Sequence, residues 1–494
     1  MKRVIVIGGG LGGLSCAIRL ATAGFQVRLI ERQRALGGKL QRVEAGPYSF
    51  DRGPSTITMT SMFERVFTSA GRRIEDYVSF YKLPVYTRNR FADGHQVDLT
   101  RDPAATADQI ARYSAKDASR YETFLAEAER LYSISRSRFL NRLLADPLDL
   151  ADPRLLAGLL SVRPFTTLDR LLARYFEHPN TRMMLGRYAT YIGSSPYRTP
   201  AVFAMLAHVE AGEGIVGIRG GTYELVRAFG RLAEELGVSI HLGEEVVKIR
   251  TSSGKVSGVS TACGDYAADV VVAGGDLLTM TRALLDEEER PSLPDRKIAG
   301  YEPSHSGLVL MLGVKRKYEQ LSHHTVFFPE RYEEEFIDLF ERKVPPRDPA
   351  LYICWNGADG ELTAPDSCSA LFVLVNAPYL CESAWDWQEK REAYVEQVTE
   401  KLERVGLCGI RADMEVRLVY TPEQLREDTG AYRGAIYGIS SNSFRQAFFR
   451  PGNRSRDIDG LWFVGGTTHP GGGTPVVTAC GQLVAERLIR EYRG

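Results

Sequence analysis

The sequence predicts an α/β protein in which a discontinuous nucleotide-binding domain carries other domains inserted into it. Three observations carry that prediction. Residues 3–31 read as a complete strand–turn–helix–strand unit with glycines at the turn. Buried-strand patterns return at 237–275, and again in "GLWFVGG" close to the end of the chain. The intervening stretches switch to helical spacing or to a separate strand-rich region. The expected boundaries are 1–75, 216–290 and 441–494 for the nucleotide domain, 76–215 for a helical region and 291–440 for a mixed sheet.

Each element follows from its local pattern. "RVIVIG" is short, apolar and β-branched, as a strand buried on both faces must be. "GGLSCAIRLATAG" places Leu14, Ala17, Ile18 and Ala21 on one helical face and stops at Gly24, and "FQVRLIE" is the next strand. Units of this kind build parallel sheets through right-handed crossovers. Residues 58–212 read as helix-rich: "SRYETFLAEAERLYSISRSRFLNRLL" has apolar residues at i, i+3 and i+4, and Pro147, Pro153 and Pro164 are expected to break the run. Between those prolines, "RLLAGLLSVRPF" admits two readings, a helix packed on the core or an apolar lip on a bilayer with Arg154 and Arg163 at headgroup level. "SSGKVSGV" is a hairpin pattern, and "DVVVAGG" is another buried strand ending in glycines. Residues 300–315 and 369–378 belong to a second sheet, and "PVVTACGQLVAERLIREY" is a closing helix.

Composition removes several function classes. Lys plus Arg and Asp plus Glu are both 62, so no global field favours a nucleic-acid partner. Seven cysteines lie scattered without metal-ligand spacing and read as reduced thiols; no metal site is expected. The opening "KRVIVIGGG" does not read as a signal peptide, and no apolar run is long enough to span a bilayer. His323-His324 precedes apolar "TVFF" with no partner at i+4, so solvated or core histidines are expected there.

The chemistry concentrates in glycine. "GGGLGG" supplies Gly8-x-Gly10-x-x-Gly13 after a strand and at a helix start, where backbone amides and the helix dipole can hold a pyrophosphate. Glu31 ends the second strand at the spacing of a ribose-binding carboxylate. Gly37-Gly38 and the rigid turn Asp51–Ser55 add further close approaches that NAD would not need, whereas FAD, with its ribityl arm and large ring, touches several loops. FAD is therefore the expected cofactor. No second nucleotide unit follows, so electrons are expected to leave to molecular oxygen or a quinone. The glycine-dense "GGTTHPGGGTP", Gly465–Pro475, follows the last buried strand and is expected to form the far wall of this site.

These stretches resemble the FAD-dependent carotenoid desaturase and oxygenase family nearly end to end. The motifs are "VIVIGGGLGGLSCAIRLA", "ERQRALGGKLQ", "FDRGPSTITM", "YIGSSPYRTPAVFAMLAHVEAGEGIVGIRGGTYELV", "TPEQLREDTGAYRGAIYG" and "LWFVGGTTHPGGGTPVVTACGQLVAERL". The resemblance implies a Rossmann-like FAD-binding domain of the glutathione reductase and amine oxidase type, an inserted mixed-sheet substrate domain and a helical membrane-facing subdomain. It implies that Gly8, Gly10, Leu11, Gly12 and Gly13 cradle the pyrophosphate, with Glu31 and Arg32 at the adenosine ribose and Val246 at the adenine edge. Gly38, Lys39, Gly53, Pro54 and Ser55 would lie by the ribityl and ring side. Gly465 and Gly466 would meet phosphate and ribityl, and Thr474, Pro475 and Val476 would start a helix aimed at the ring. Tyr188, Tyr191 and Gly193 would line the substrate tunnel, and His469 is the ionisable candidate for a chemical role, with packing as its alternative.

The resemblance also implies a linear carotenoid substrate and peripheral attachment to the cytoplasmic face of the cell membrane. "YIGSSPY", "HHTVFF", "RGAIYG" and "PGGGTPVVTACGQ" favour the branch that oxidises a terminal methyl of a thirty-carbon chain to an aldehyde; Thr468-His469-Pro470 looks like the desaturase version. A flavin amine oxidase is the competing class, with Cys480 as a conceivable covalent attachment point.

Overall fold

The computed structural model describes residues 2–144, 152–359, 363–381 and 385–493; Pro147 lies outside them. A five-stranded sheet is fully parallel, in the order Leu461–Phe463, Val270–Ala273, Arg3–Ile7, Gln26–Glu31, Ser239–Leu242. Its first strand sits in the middle, with Val4 opposite Val270 on one side and Val6 opposite Leu29 on the other. That central place is why "VIVI" carries no polar residue: all four side chains are buried. The helix Leu11–Thr22 packs against the closing helix Thr474–Arg493. The join is polar and specific: Ser15 Oγ donates to Thr478 O at 2.8 Å, and Gln482 Nε2 donates to Ser15 O at 2.9 Å. The two ends of the chain therefore close one domain.

The hairpin expected at "SSGKVSGV" is present, pairing Val246–Ser252 with Lys255–Thr261 and extended by Gly264–Ala267. The expected second sheet is also present. It has seven strands, in the order Met414–Tyr420, Ser306–Val314, Ser369–Ala377, Leu351–Cys354, His324–Phe327, Thr87–Arg90, Gln96–Leu99. Every neighbouring pair is antiparallel except His324–Phe327 with Thr87–Arg90.

Two expectations for residues 58–212 are corrected. The stretch contains strands at Phe80–Lys82, Thr87–Arg90 and Gln96–Leu99, and the last two form one edge of the seven-stranded sheet. "TRNR" carries no apolar residue and "QVDL" alternates over only four positions; their pairing is fixed across the edge, by Arg88 on Asp98 at 2.8 Å and by the neighbouring strand. Pro153 does not break a helix but begins one, Pro153–Ser161, behind an Asp152 cap that accepts from Arg154 N at 2.8 Å. On that helix Leu155 is buried, while Leu156 and Leu160 are 59% and 64% exposed, and Phe165 just beyond is 76% exposed. Among the described residues, no helix is long and apolar enough to cross a membrane.

Candidate active site

A cavity of about 580 Å³ opens at the carboxyl ends of the parallel strands, where such sheets hold nucleotides. Its wall includes Gly8, Gly10, Leu11, Gly12, Glu31, Arg32, Gly38, Lys39, Gly53, Pro54, Ser55, Val246, Gly465, Gly466, Thr474, Pro475 and Val476. The exception in the glycine motif is Gly13, which serves the fold: a methyl there would stand 2.2 Å from Gly8 O and 3.3 Å from Val6 Cγ1. Helix and strand touch at that point. Gly10 differs, since a methyl on it would meet no protein atom within 4 Å.

The residues fit a flavin dinucleotide. Gly10 begins the helix Leu11–Thr22 with no side-chain cap, leaving its first amides to an anion. Glu31 is buried and oriented by two amides, accepting from Gly9 N at 2.7 Å and Gln33 N at 2.8 Å, with lone pairs left for a ribose diol. Lys39 is held by two carbonyls: its Nζ donates to Ala435 O at 3.0 Å and Ile436 O at 2.6 Å. Burial pushes this ammonium down to about 8, against the opposing pull of the Asp276 carboxylate. The segment Gly465–Pro475 forms the opposite wall, with Gly465 at φ +146 and the closing helix starting at Thr474. Arg450 Nη1 donates to Gly466 O at 3.1 Å from a half-buried position, and desolvation lowers its guanidinium to about 10.

Beyond this cradle the wall turns apolar and aromatic. Phe203, Met205, Leu206, Val209, Val326 and Tyr332 line it. Tyr191 lies on the cavity as expected, but Tyr188 does not: it is buried beside it, ring centroids 5.7 Å apart, in the helical core. Gly193 is also off the wall; at φ +66 it ends a short helical turn, and a side chain there would strike Ser304 and Tyr437.

His469 is placed away from the cavity. Its Nε2 lies 2.9 Å from both Phe139 O and Arg142 O, and it borders a separate, arginine-rich hollow. Burial lowers its pKa to about 4 despite those two carbonyls, with Arg450 pushing the same way. The structure thus gives this imidazole to packing, tying residues 139–142 to the glycine segment. Cys480 is equally remote, buried against Asn453, Thr468 and His469 O.

Sequence reasoning missed His305. It lines the cavity, fully buried, with Nδ1 2.8 Å from Ser306 O. Burial pushes its pKa down to about 4, against the backbone carbonyls of Ser306 and Thr190. The ring is neutral at pH 7, and Nδ1–H donating to Ser306 O leaves Nε2 as a lone pair. His323 and His324 are core residues, as expected, but the sheet brings Cys354 beside them, their ligand atoms within 4.8 Å of one another. His324 Nδ1 is 2.8 Å from the Tyr352 hydroxyl, itself 2.6 Å from Ser55 Oγ, so this imidazole braces the turn beside the cofactor cradle. No local signal marks these pairings; they join residues 297 and 28 positions apart.

The parallel sheet, the glycine cradle and the carboxylate at its second strand define a flavin-dependent oxidoreductase. The chain belongs to the flavin containing amine oxidoreductase family, whose model matches residues 11–489, and its cofactor is FAD. It is 35% identical to 4,4'-diapolycopene oxygenase of Methylomonas sp, covering 100% of this chain and 99% of that one. It is 34% identical to 4,4'-diaponeurosporene oxygenase of Staphylococcus haemolyticus, over 99% and 97% of the two chains. These relatives bear out the resemblance read from the motifs. Among solved structures it is similar to an oxidoreductase from Methanosarcina mazei, with a TM-score of 0.65 at 15% identity over 98% and 100% of the chains. It is similar also to a putrescine oxidase variant, with a TM-score of 0.65 at 14% identity over 99% of each. At such identities these two share the fold.

Proposed function

We propose that this enzyme oxidises a terminal methyl of a linear thirty-carbon polyene to an aldehyde. The observation that carries the reading is the apolar, aromatic extension of the cofactor cavity. It suits a long hydrocarbon chain. The names of the full-length relatives point to the same chemistry. Bound FAD would supply the two-electron redox chemistry, with molecular oxygen as acceptor. Methyl plus molecular oxygen gives aldehyde plus water, which balances without an added reductant.

The chain's own residues have limited work to do. The wall formed by Phe203, Leu206, Val209 and Val326 excludes water and fixes the register of the substrate. Lys39 presents a half-buried positive charge on the cofactor side. Neutral His305 keeps its part of the cavity wall uncharged. Entry from a membrane surface fits the exposed Leu156, Leu160, Phe165 and Phe449; the half-buried Phe444 ring lies 5.0 Å from that of Phe165 and 5.7 Å from that of Phe449.

The test is turnover of the FAD-loaded protein with a linear thirty-carbon polyene under isotopically labelled oxygen. Labelled aldehyde is the expected product. Added double bonds without label would make it a desaturase, and oxidation of amines with no action on the polyene would overturn the reading.

A further inference from the structure

The arginine-rich hollow beside His469 serves neither cofactor binding nor the proposed reaction. It has a volume of about 350 Å³, and six basic side chains border it, Arg290, Lys297, Arg445, Arg450, Arg454 and Arg456, against one acid, Asp457. Part of that charge is already answered. Arg290 Nη2 lies 2.7 Å from Asp295 Oδ1, and Arg454 reaches Asp459 and Glu491, each at 3.4 Å. Asp457 is held by the wall itself, accepting from Ser292 Oγ at 2.5 Å. Lys297, Arg445, Arg450 and Arg456 form no ion pair among the described residues. Lys297, Arg445 and Arg456 are exposed, so an ion reaches them from solvent. Burial pushes the Tyr301 hydroxyl on this wall up, and Arg445 and Arg456 both pull it back, so the two guanidinium groups lie about one spot. Like charges gathered in this way favour an anion between them.

The surroundings of the hollow say what that anion is attached to. Phe449 borders it and is 43% exposed. The Phe449 ring lies 5.7 Å from that of Phe444, which lies 5.0 Å from that of exposed Phe165. Charge and exposed apolar surface share one rim. A free anion gains nothing from those phenylalanines, whereas a phospholipid brings a phosphate with acyl chains next to it. We infer that the hollow receives the phosphate of an anionic phospholipid, with Lys297, Arg445 and Arg456 donating to its oxygens and Phe449 entering the acyl boundary beside it. The headgroup must be anionic as a whole, because the ammonium of a choline headgroup would stand among guanidinium groups and be repelled. Ala447 and Arg450 also border the reaction cavity, so the segment that carries the headgroup site walls the substrate cavity on its other side. A lipid held here sets that cavity against the bilayer. This assignment rests on the reading that the substrate enters from a membrane.

The experiment measures sedimentation of the FAD-loaded enzyme with vesicles of phosphatidylcholine alone and of phosphatidylcholine mixed with phosphatidylglycerol. Each basic side chain at an anionic surface is worth about five-fold in affinity, so three should make the wild type prefer the mixed vesicles by roughly 100-fold. R445Q/R456Q should lose roughly 25-fold of that preference at unchanged Tm and FAD content, since both side chains face solvent. R445K/R456K keeps the charge and should keep most of the preference. K390Q/R404Q removes two exposed charges from the helix Trp387–Arg404, which packs on the seven-stranded sheet, and should lose less than about three-fold. Equal losses in R445Q/R456Q and K390Q/R404Q would reduce the effect to diffuse surface charge and overturn the site. Equal wild-type binding to the two kinds of vesicle would also overturn it, while leaving entry from the membrane to apolar contact. Inorganic phosphate that raises the Tm of the wild type but not of R445Q/R456Q, without binding to vesicles, would give the hollow to a free anion instead. If the wild type binds neither vesicle, membrane entry falls and the headgroup site with it, whereas turnover of the polyene tests the reaction separately.

Discussion

Replacing Gly10 by alanine separates cofactor binding from folding. Gly10 caps its helix at φ −72 and ψ 168, a conformation alanine adopts without strain. Its added methyl would meet no protein atom within 4 Å, so the apoprotein should lose no more than about 1 kcal/mol, the cap preference of glycine over alanine. The space it fills is the cavity itself. A pyrophosphate pushed off even one amide loses a charge-assisted hydrogen bond of about 1.5–3 kcal/mol, roughly a 10- to 100-fold rise in Kd. Gly13→Ala is the counterpart: its methyl, 2.2 Å from Gly8 O, must lever the helix off the central strand, costing about 1–3 kcal/mol or more of fold stability. Thermal unfolding of the apoproteins and FAD titration followed by flavin fluorescence read the two quantities independently of turnover. Gly10→Ala binding FAD within two-fold of wild type would refute the placement of the pyrophosphate, as would a Gly10→Ala apoprotein destabilised as much as Gly13→Ala.

Other outcomes follow from the same geometry. His469→Ala should lower Tm, because it strips a donor from the carbonyls of Phe139 and Arg142 at about 1–3 kcal/mol, yet leave FAD content and turnover near wild type; loss of turnover in a fully flavinated variant would restore a chemical role. His305 and His469 are buried neutral, with pKa values lowered to about 4 from an unfolded value near 6.5. Below that unfolded value the unfolded chain binds protons the native state does not, so stability is full above about pH 6.5. It falls by about 1.4 kcal/mol per pH unit per histidine down to about pH 4. Apoprotein unfolding between pH 7 and pH 4.5 should show this slope, reduced by one proton in His305→Gln; an unchanged slope there would contradict a neutral His305. Leu156→Ser with Leu160→Ser should weaken partition onto liposomes several-fold at unchanged Tm, since both side chains already face solvent, and unchanged partition would remove this helix from the membrane contact.

The sequence by itself determined the parallel sheet, the turn at its first strand and the identity of the cofactor. Those are local facts: β-branched runs buried on both faces, glycines where a backbone meets a phosphate, a carboxylate at the end of the next strand. Gly8, Glu31 and Gly465 all reach the cavity because strand ends are where a parallel sheet opens. The strand at Thr87–Arg90 was illegible because its place in the sheet is set by His324–Phe327, far along the chain, and Gln96–Leu99 is a four-residue edge strand held by that neighbour. The direction of a side chain is just as non-local. Tyr188 and Tyr191 share one helical turn and one motif, yet one ring packs into the core and the other meets the cavity. His469 sits in the glycine segment but turns outward, onto two carbonyls some 330 positions earlier, while His305, in no motif at all, lies on the reaction cavity. Only packing decided those roles. Burial, which no local motif announces, sets each of these imidazoles neutral.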